Sequence, residues 1–434
     1  MALPQVKLYE IILGLSEALD LIDPVLSNHH KKVAYIAQAI GEKLDLPTNT
    51  LRQLIMAGAL HDIGSLSIIE RISILNFEDE YSHEHAKVGY NLLKSFPPLE
   101  NIADIVRFHH LSWNNGQGQY SKGIPVPFES HIIHLADRIA VLVPDASRVL
   151  EEAPKITEKI ENVKGSKFVP EQVEAFLELA DTEYFWLDIV SGSLDRILSA
   201  KFEGVNVEVT LDELVDISRI FSRIVDFRSP VNAAHSSGVA STAKLLSKKM
   251  GFNDTKSNLM LAAGYLHDIG KLAVPPHILE KPGKLTKEEF MVIKRHTYYT
   301  YSIMSNIKSF DNMTKWAAFH HEKLDGTGYP FHLTEKQLPL ESQAMSVVDV
   351  FTAVTEDRPY RLGMEKPEVT KLLYKMVKNN ALNGDIVKIL IDNYDEINYG
   401  RFIAQQNSLD EYAHFLVPYK ERFSDDAAYN FIGK

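Results

Sequence analysis

A chain of 434 residues with 45% apolar and 24% charged side chains has room for two to three globular domains with buried cores. It contains no cysteine, which excludes disulfides and thiolate metal sites and fits a reducing cytoplasm; any metal must be held by histidine, aspartate or glutamate. The formal net charge of -12 argues against unspecific binding to DNA or RNA duplexes or to anionic membranes, and no apolar run approaches the roughly 18 residues of a membrane span.

The N-terminal stretch MALPQVKLYEIILGLSEALD is interrupted by Glu10 and has no basic leader, so it reads as a first helix and not as a signal peptide. After Pro24, His29 opens a segment in which Val33, Ala37, Ile40 and Leu44 mark the core face of an amphipathic helix. HDIGS stands at 61–65, His85 lies in SHEHAKVGYNLL, His109 and His110 end VRFHH, and Asp137 lies in ESHIIHLADRI. Strand signals are scarce, and one of them, VNVEVT, falls in the stretch SAKFEGVNVEVTLDE, the expected junction between two domains.

Beyond that junction the same order returns. Pro230 precedes His235, Val239, Ala243, Leu246 and Met250 repeat the helix face, and HDIGK occupies 267–271. His29 to His235 and His61 to His267 are both steps of 206 residues. His85 pairs with His296, and His109 and His110 with His320 and His321, at a step of 211; Asp137 pairs with Asp349 at 212. Solenoid repeats run about 20–50 residues, so a copy of this length predicts duplication of a whole domain. Helical periodicity dominates both copies. The expected fold is all-α, with two tandem helical domains over 1–200 and 201–434.

In the second copy, His235, His267, Asp268, His296, His320, His321 and Asp349 supply seven potential ligands from separate helices. Imidazole and carboxylate together suit Fe, Mn, Zn or Ni better than Mg or Ca, and seven ligands exceed the four of one zinc, so the set points to a two-metal site. Asp268 is placed to bridge two ions, which would activate a nucleophile for in-line attack at phosphorus. Lys271, one turn past Asp268, would offer its charge to a phosphoryl oxygen. The turn DGTGYP follows His320 and His321 and is expected at the mouth of the site. In KPGKLTKEEF, Thr286 and Glu289 form a possible capping box for the helix carrying His296. Arg358 and Arg361 of EDRPYR share one helix face or turn.

HDIGK, PPHILEKPGKLTKEEF, HHEKLDGTGYP and VVDVFTAVTEDRPYR, in that order, resemble the HD-GYP family of bacterial cyclic-dinucleotide phosphodiesterases, strongly over 228–365 and more weakly to 395. Residues 20–180 resemble only the wider HD superfamily. The resemblance implies that His235, His267, Asp268 and Asp349 hold one metal and Asp268, His296, His320 and His321 a second. It gives Asp268 and Lys271 the catalytic roles and places Gly328, Tyr329, Pro330, Arg358 and Arg361 against the nucleotide. The implied reaction is hydrolysis of cyclic di-GMP to pGpG or GMP, or of 3′,3′-cyclic GMP-AMP. The implied cofactors are two divalent ions, Fe or Mn ahead of Zn or Ni. In members similar to a three-metal form a Glu stands four residues before the first histidine; here that position is Val231, so two metals are expected. A homodimer or a signalling-protein partner is compatible with this reading.

The first copy keeps His29, His61, Asp62, His85, His109, His110 and Asp137, a second metal-ligand set. It departs where substrate is handled: Ser65 replaces Lys271, NNGQGQ replaces DGTGYP, and the interval that holds KPGK is shorter. This domain is therefore expected to be a silent regulatory or dimerising module with or without metal, a nucleotide hydrolase of other specificity, or a relic. For the whole chain the alternatives are a cyclic-dinucleotide receptor that binds without cleaving, and an HD phosphohydrolase acting on another nucleotide.

Overall fold

The structure is a computed structural model that describes residues 6–21, 28–65, 83–202, 208–226, 234–281, 283–358 and 361–415. The chain divides into two compact units, Lys7–Val207 and Glu208–Lys434, the second also taking Met1–Val6. Both are helical. Strand among the described residues is limited to two-residue pieces, of which VNVEVT contributes Glu208–Val209. No helix among them is long and apolar enough to cross a membrane. Pro24, Pro230, Val231, Pro282 of the KPGK stretch, most of the interval from Ser65 to His85 and the tail beyond Phe415 lie outside the described residues.

In the first unit α1 (Leu8–Asp20), α2 (His29–Lys43) and α3 (Thr48–Leu60) precede α4 (His83–Lys94), α5 (Glu100–Arg107) and α6 (Phe128–Leu142). The expected core face of α2 is buried at Val33, Ala37 and Ile40, while Leu44 caps the helix and is half-buried. That apolar face packs α2 against α3 and α6. Four further helices, α7 (Val149–Glu161), α8 (Pro170–Ala180), α9 (Glu183–Ile189) and α10 (Leu194–Ala200), follow. Phe176, Phe185 and Trp186 meet edge to face beneath them in a buried cluster.

The second unit runs through α11 (Leu211–Asp226), α12 (His235–Lys249), α13 (Asp254–Leu266), the short α14 (Pro276–Leu279), α15 (Lys287–Ser305), α16 (Asp311–Ala318) and α17 (Leu340–Thr355). It closes with α18 (Lys366–Lys378), α19 (Gly384–Asp392) and α20 (Tyr394–Phe415). Val239, Ala243 and Leu246 are buried where α12 packs against α13, α17 and α20. Thr286 and Glu289 form the capping box at the start of α15. Arg358 and Arg361 exchange main-chain hydrogen bonds of 2.7 and 2.9 Å; Pro359 and Tyr360 of EDRPYR lie outside the described residues.

Both HDIG segments sit where a helix ends, His61 capping α3 and His267 capping α13. The glycine that follows is required by a close approach. A Cβ on Gly270 would lie 2.0 Å from the His296 carbonyl oxygen, and one on Gly64 would lie 2.1 Å from that of His85. Main chain thus rests directly on the helix that carries the next histidine.

Candidate metal centre

The helices of the second unit bring all seven predicted ligands to one place. Asp268 lies at its middle: Oδ2 is 3.1 Å from His267 Nε2 and 3.9 Å from His235 Nε2, while Oδ1 is 3.3 Å from His296 Nε2 and 3.9 Å from His320 Nε2. Asp349 Oδ1 is 3.4 Å from His235 Nε2, and its Oδ2 is 3.7 Å from His321 Nδ1. The two carboxylate oxygens of Asp268 therefore face different sets of imidazoles. Lys271 Nζ is 2.5 Å from Asp268 Oδ2.

The tautomers follow from the backbone. His267, His296 and His320 place Nδ1 at 2.8, 2.6 and 2.6 Å from the carbonyl oxygens of Gly264, Ile293 and Ala317. A carbonyl only accepts, so Nδ1 carries a hydrogen in each ring and Nε2 is the atom aimed inward. Burial holds His296 down to about 3, and burial with neighbouring His321 holds His320 well below its ordinary value, so both rings are neutral. Burial alone would push the Asp268 carboxyl up, but His267 and Lys271 hold it well below the usual carboxylate range.

Does this donor set fit metal ions? His296 Nε2 and His320 Nε2 stand 3.3 Å apart, two lone pairs with no hydrogen between them. His267 Nε2 and Asp268 Oδ1 are buried without a hydrogen bond. Buried acceptors converging in this way are costly unless a cation lies among them. The residues fit.

Two groups that the sequence reading passed over, Glu356 and Asp226, support the centre. Glu356 accepts from His235 Nδ1 at 3.0 and 3.2 Å and from the Arg358 guanidinium at 2.6 and 2.9 Å. Burial opposes ionisation of Glu356, yet His235 brings its carboxyl down to about 2; burial likewise opposes the charge on His235, yet Glu356 brings the ring up to about 10. Asp226, at the end of α11, accepts from Ser236 Oγ at 2.7 Å and Ser236 N at 3.1 Å, and burial pushes it up to about 7. The signal for Asp226 was present in the sequence, since Asp20 lies one 206-residue step before it. Arg361 Nη2 donates to the Ala353 carbonyl at 2.5 Å, so both arginines predicted to meet the nucleotide also brace the turn that holds Glu356.

The GYP turn sits at the mouth of the centre. Buried Glu322 accepts from the backbone N–H of Phe331 at 2.7 Å and of Leu333 at 3.0 Å, tying the turn to the histidine pair beside it. The Tyr329 ring lies 4.9 Å from that of His321, and Lys294 Nζ lies 5.0 Å from the Tyr329 centroid. A Cβ on Gly328 would lie 2.4 Å from both Glu322 Cα and Lys323 N. Gly328→Ala is therefore expected to lower stability by about 1–3 kcal/mol and to raise KM for a nucleotide substrate. Denaturant titration with initial-rate kinetics checks this; an unchanged midpoint and KM would refute the role given to that contact.

The first unit assembles its own seven. Asp62 Oδ1 is 3.1 Å from His85 Nε2 and 3.6 Å from His109 Nε2, Asp62 Oδ2 is 3.3 Å from His61 Nε2, and His29 Nε2 is 3.2 Å from Asp137 Oδ1. His110 Nε2 is 3.1 Å from His85 Nε2. His29 Nε2, His61 Nε2, Asp62 Oδ1 and Asp137 Oδ1 are buried without a hydrogen bond, so this set fits a cation too. His30, whose counterpart in the second copy is Ser236, joins the cluster: its Nδ1 is 2.5 Å from Asp20 Oδ1, and His30, His61 and Asp62 present converging ligand atoms.

Two differences separate the sites. Arg138 is fully buried and donates to Asp137 Oδ2 through Nε at 3.1 Å and Nη2 at 2.6 Å; Val350 stands at the matching position. His110 is 4% exposed, whereas 30% of the side chain of its counterpart His321 is accessible. The first cluster is closed and charge-compensated, and the second is open at the GYP turn.

Two family models, each described as HD domain, match residues 26–142 and 219–386. The 3'3'-cGAMP-specific phosphodiesterase 1 of Vibrio cholerae serotype O1 is 27% identical over 403 residues, covering 89% of this chain and 92% of that protein. Phosphodiesterase 3 of the same name and organism is 28% identical, covering 82% and 88%. The cyclic di-GMP phosphodiesterase response regulator RpfG of Xanthomonas campestris is 35% identical over 38% of this chain and 44% of its own. A crystal structure of a cyclic GMP-AMP specific phosphodiesterase from V. cholerae, V-cGAP3, superposes with a TM-score of 0.63 at 22% identity, covering 90% of this chain and 98% of that one; this likeness concerns the fold. With one match over each histidine and aspartate cluster, the chain belongs to the HD-domain family and carries two HD domains in tandem.

Proposed function

We propose that residues 201–434 form a metal-dependent phosphodiesterase domain that hydrolyses a bacterial cyclic dinucleotide, and that residues 1–200 form an altered, regulatory copy. The observation that carries the reading is Lys271, a cation beside the central carboxylate Asp268 in the cluster that opens at the GYP turn. The two relatives that match over most of the chain are named for 3'3'-cGAMP, while a shorter match is named for cyclic di-GMP. On that basis 3′,3′-cyclic GMP-AMP is the first candidate substrate and cyclic di-GMP the second.

His235, His267, Asp268 and Asp349 would hold one ion, and Asp268, His296, His320 and His321 another, with Fe or Mn favoured by the donor mixture and Zn or Ni also accommodated. Such ions supply Lewis acidity and a water acidic enough to serve as nucleophile at neutral pH. The chain's own groups do the rest. Carbonyl-anchored imidazoles hold the neutral tautomer, Lys271 offers positive charge to a phosphoryl oxygen, and Tyr329, with Gly328 and Pro330 shaping its turn, gives a nucleobase a ring to stack on. Arg358 and Arg361 fix the turn after α17 that borders the same space.

In the first domain, Ser65 replaces the lysine and Arg138 already neutralises Asp137, so among the described residues a metal there would find a more deeply buried site that lacks the counterpart of Lys271. A product assay across cyclic di-GMP and 3′,3′-cyclic GMP-AMP with Mn²⁺ or Fe²⁺ tests both assignments. Turnover is expected in the full-length protein and in an Asp62→Ala variant, which should hold less metal. Binding without turnover would favour the receptor reading. Loss of turnover in Asp62→Ala, with the second site still loaded, would overturn the silent role of the first domain.

A further inference from the structure

Helix α20 crosses α12 behind the metal centre. Two of its polar side chains are nonetheless buried: Arg401 is 5% and Gln405 7% exposed. Arg401 Nη1 donates to Gln405 Oε1, which turns the amide so that Gln405 Nε2 points the other way and donates to Glu356 Oε2 at 3.0 Å. Glu356 in turn receives His235 Nδ1, and His235 Nε2 faces Asp349 and Asp268. A chain of contacts thus runs from the C-terminal helix to a predicted metal ligand. Room for the amide comes from Gly238 on α12, where a Cβ would lie 2.7 Å from Gln405 Nε2.

We infer that Gln405 is a positioning residue of the metal centre, setting the affinity for the ion held by His235 through its hydrogen bond to Glu356. The inference rests on the metal-dependent reading above. Without the amide, the Glu356 carboxylate keeps His235 and Arg358 as partners but loses the donor that fixes its rotation. His235 then samples orientations in which Nε2 leaves the line toward Asp349. A group hydrogen-bonded directly to a metal ligand, here Glu356, is worth about 10–100-fold in affinity, and Gln405 acts through it at one further remove. The first domain differs at both positions: Lys32 stands at the position matching Gly238 and Pro144 at that matching Glu356.

The test is Mn²⁺ titration of the chelator-stripped, full-length protein by calorimetry, which does not depend on turnover. Gln405→Leu is expected to weaken one class of ion by up to about 10-fold, the lower end of what losing a direct partner of the ligand costs, while the remaining classes stay unchanged. Glu356→Ala should do the same, and the double variant should be no worse than Glu356→Ala alone. Tyr399→Ala, which removes an exposed ring from the same helix, should have no effect. Unchanged Mn²⁺ affinity in Gln405→Leu, or losses that simply add in the double variant, would overturn the inference. If Gln405→Leu fails to fold, Gly238→Ala, which displaces the amide without removing it, decides by the same readout. A protein that loses Mn²⁺ affinity as described yet cleaves no cyclic dinucleotide would sink the proposed substrate and leave this inference standing.

Discussion

Asp268→Asn is expected to abolish cyclic-dinucleotide hydrolysis and to strip metal from the second domain. Both carboxylate oxygens of Asp268 are committed, Oδ2 to the His267, His235 and Lys271 side and Oδ1 to the His296 and His320 side. Asparagine preserves the shape and replaces one of those oxygens with an amide that cannot ligate a cation and would point its hydrogens at one of the two sets. Removing one partner from a buried charged cluster costs about 3–5 kcal/mol of stability, and losing one electrostatic group at the reacting centre costs about 10²–10³-fold in rate, before the loss of metal is counted. Turnover assays paired with elemental analysis check the result. A variant that keeps its full metal content and a rate within tenfold of the parent would show that Asp268 does not bridge.

The second large effect belongs to Lys271→Ser, which installs the residue found at the matching place in the first domain. Removing a single donor to developing negative charge costs about 10²–10³-fold in kcat, and KM should change much less. Metal content should not fall, because Lys271 competes with a cation for Asp268 Oδ2 at 2.5 Å. The reverse exchange, Ser65→Lys, should yield no activity in the first domain, where Ser65 is fully buried and Arg138 already neutralises Asp137. Single-turnover kinetics with elemental analysis distinguish this outcome from metal loss. If Lys271→Ser matched the parent in kcat, the lysine would have no part in the chemistry.

Duplication is what made the ligands readable. A histidine alone carries little information, but seven side chains recurring at steps of 206, 211 and 212 residues could be assigned before any helix was placed, and the structure brings them together. Asp20 and Asp226 share the 206-residue step and were passed over because an acid at a helix end reads as ordinary surface charge. Glu356 and Gln405 have no copy to be compared with, and their burial arises from helix crossings that local periodicity does not encode. Arg138 misleads for a related reason: in the sequence it is one more charge on a helix, whereas in the fold its guanidinium is sealed against Asp137. The helical fold itself followed from apolar spacing, since Val33, Ala37 and Ile40 and their partners Val239, Ala243 and Leu246 are buried in both copies.

The contact of Gly64 on the His85 carbonyl, and of Gly270 on that of His296, carries an evolutionary consequence. Because main chain meets main chain there, the register between the HD pair and the next histidine is held by atoms that every substitution elsewhere leaves in place. Neighbouring side chains are then free to diverge. A duplicated gene segment can exchange lysine for serine and acquire an arginine beside its aspartate while the scaffold goes on presenting the same ligands. In this way two copies of one scaffold can come to differ in chemistry without their helices being repacked.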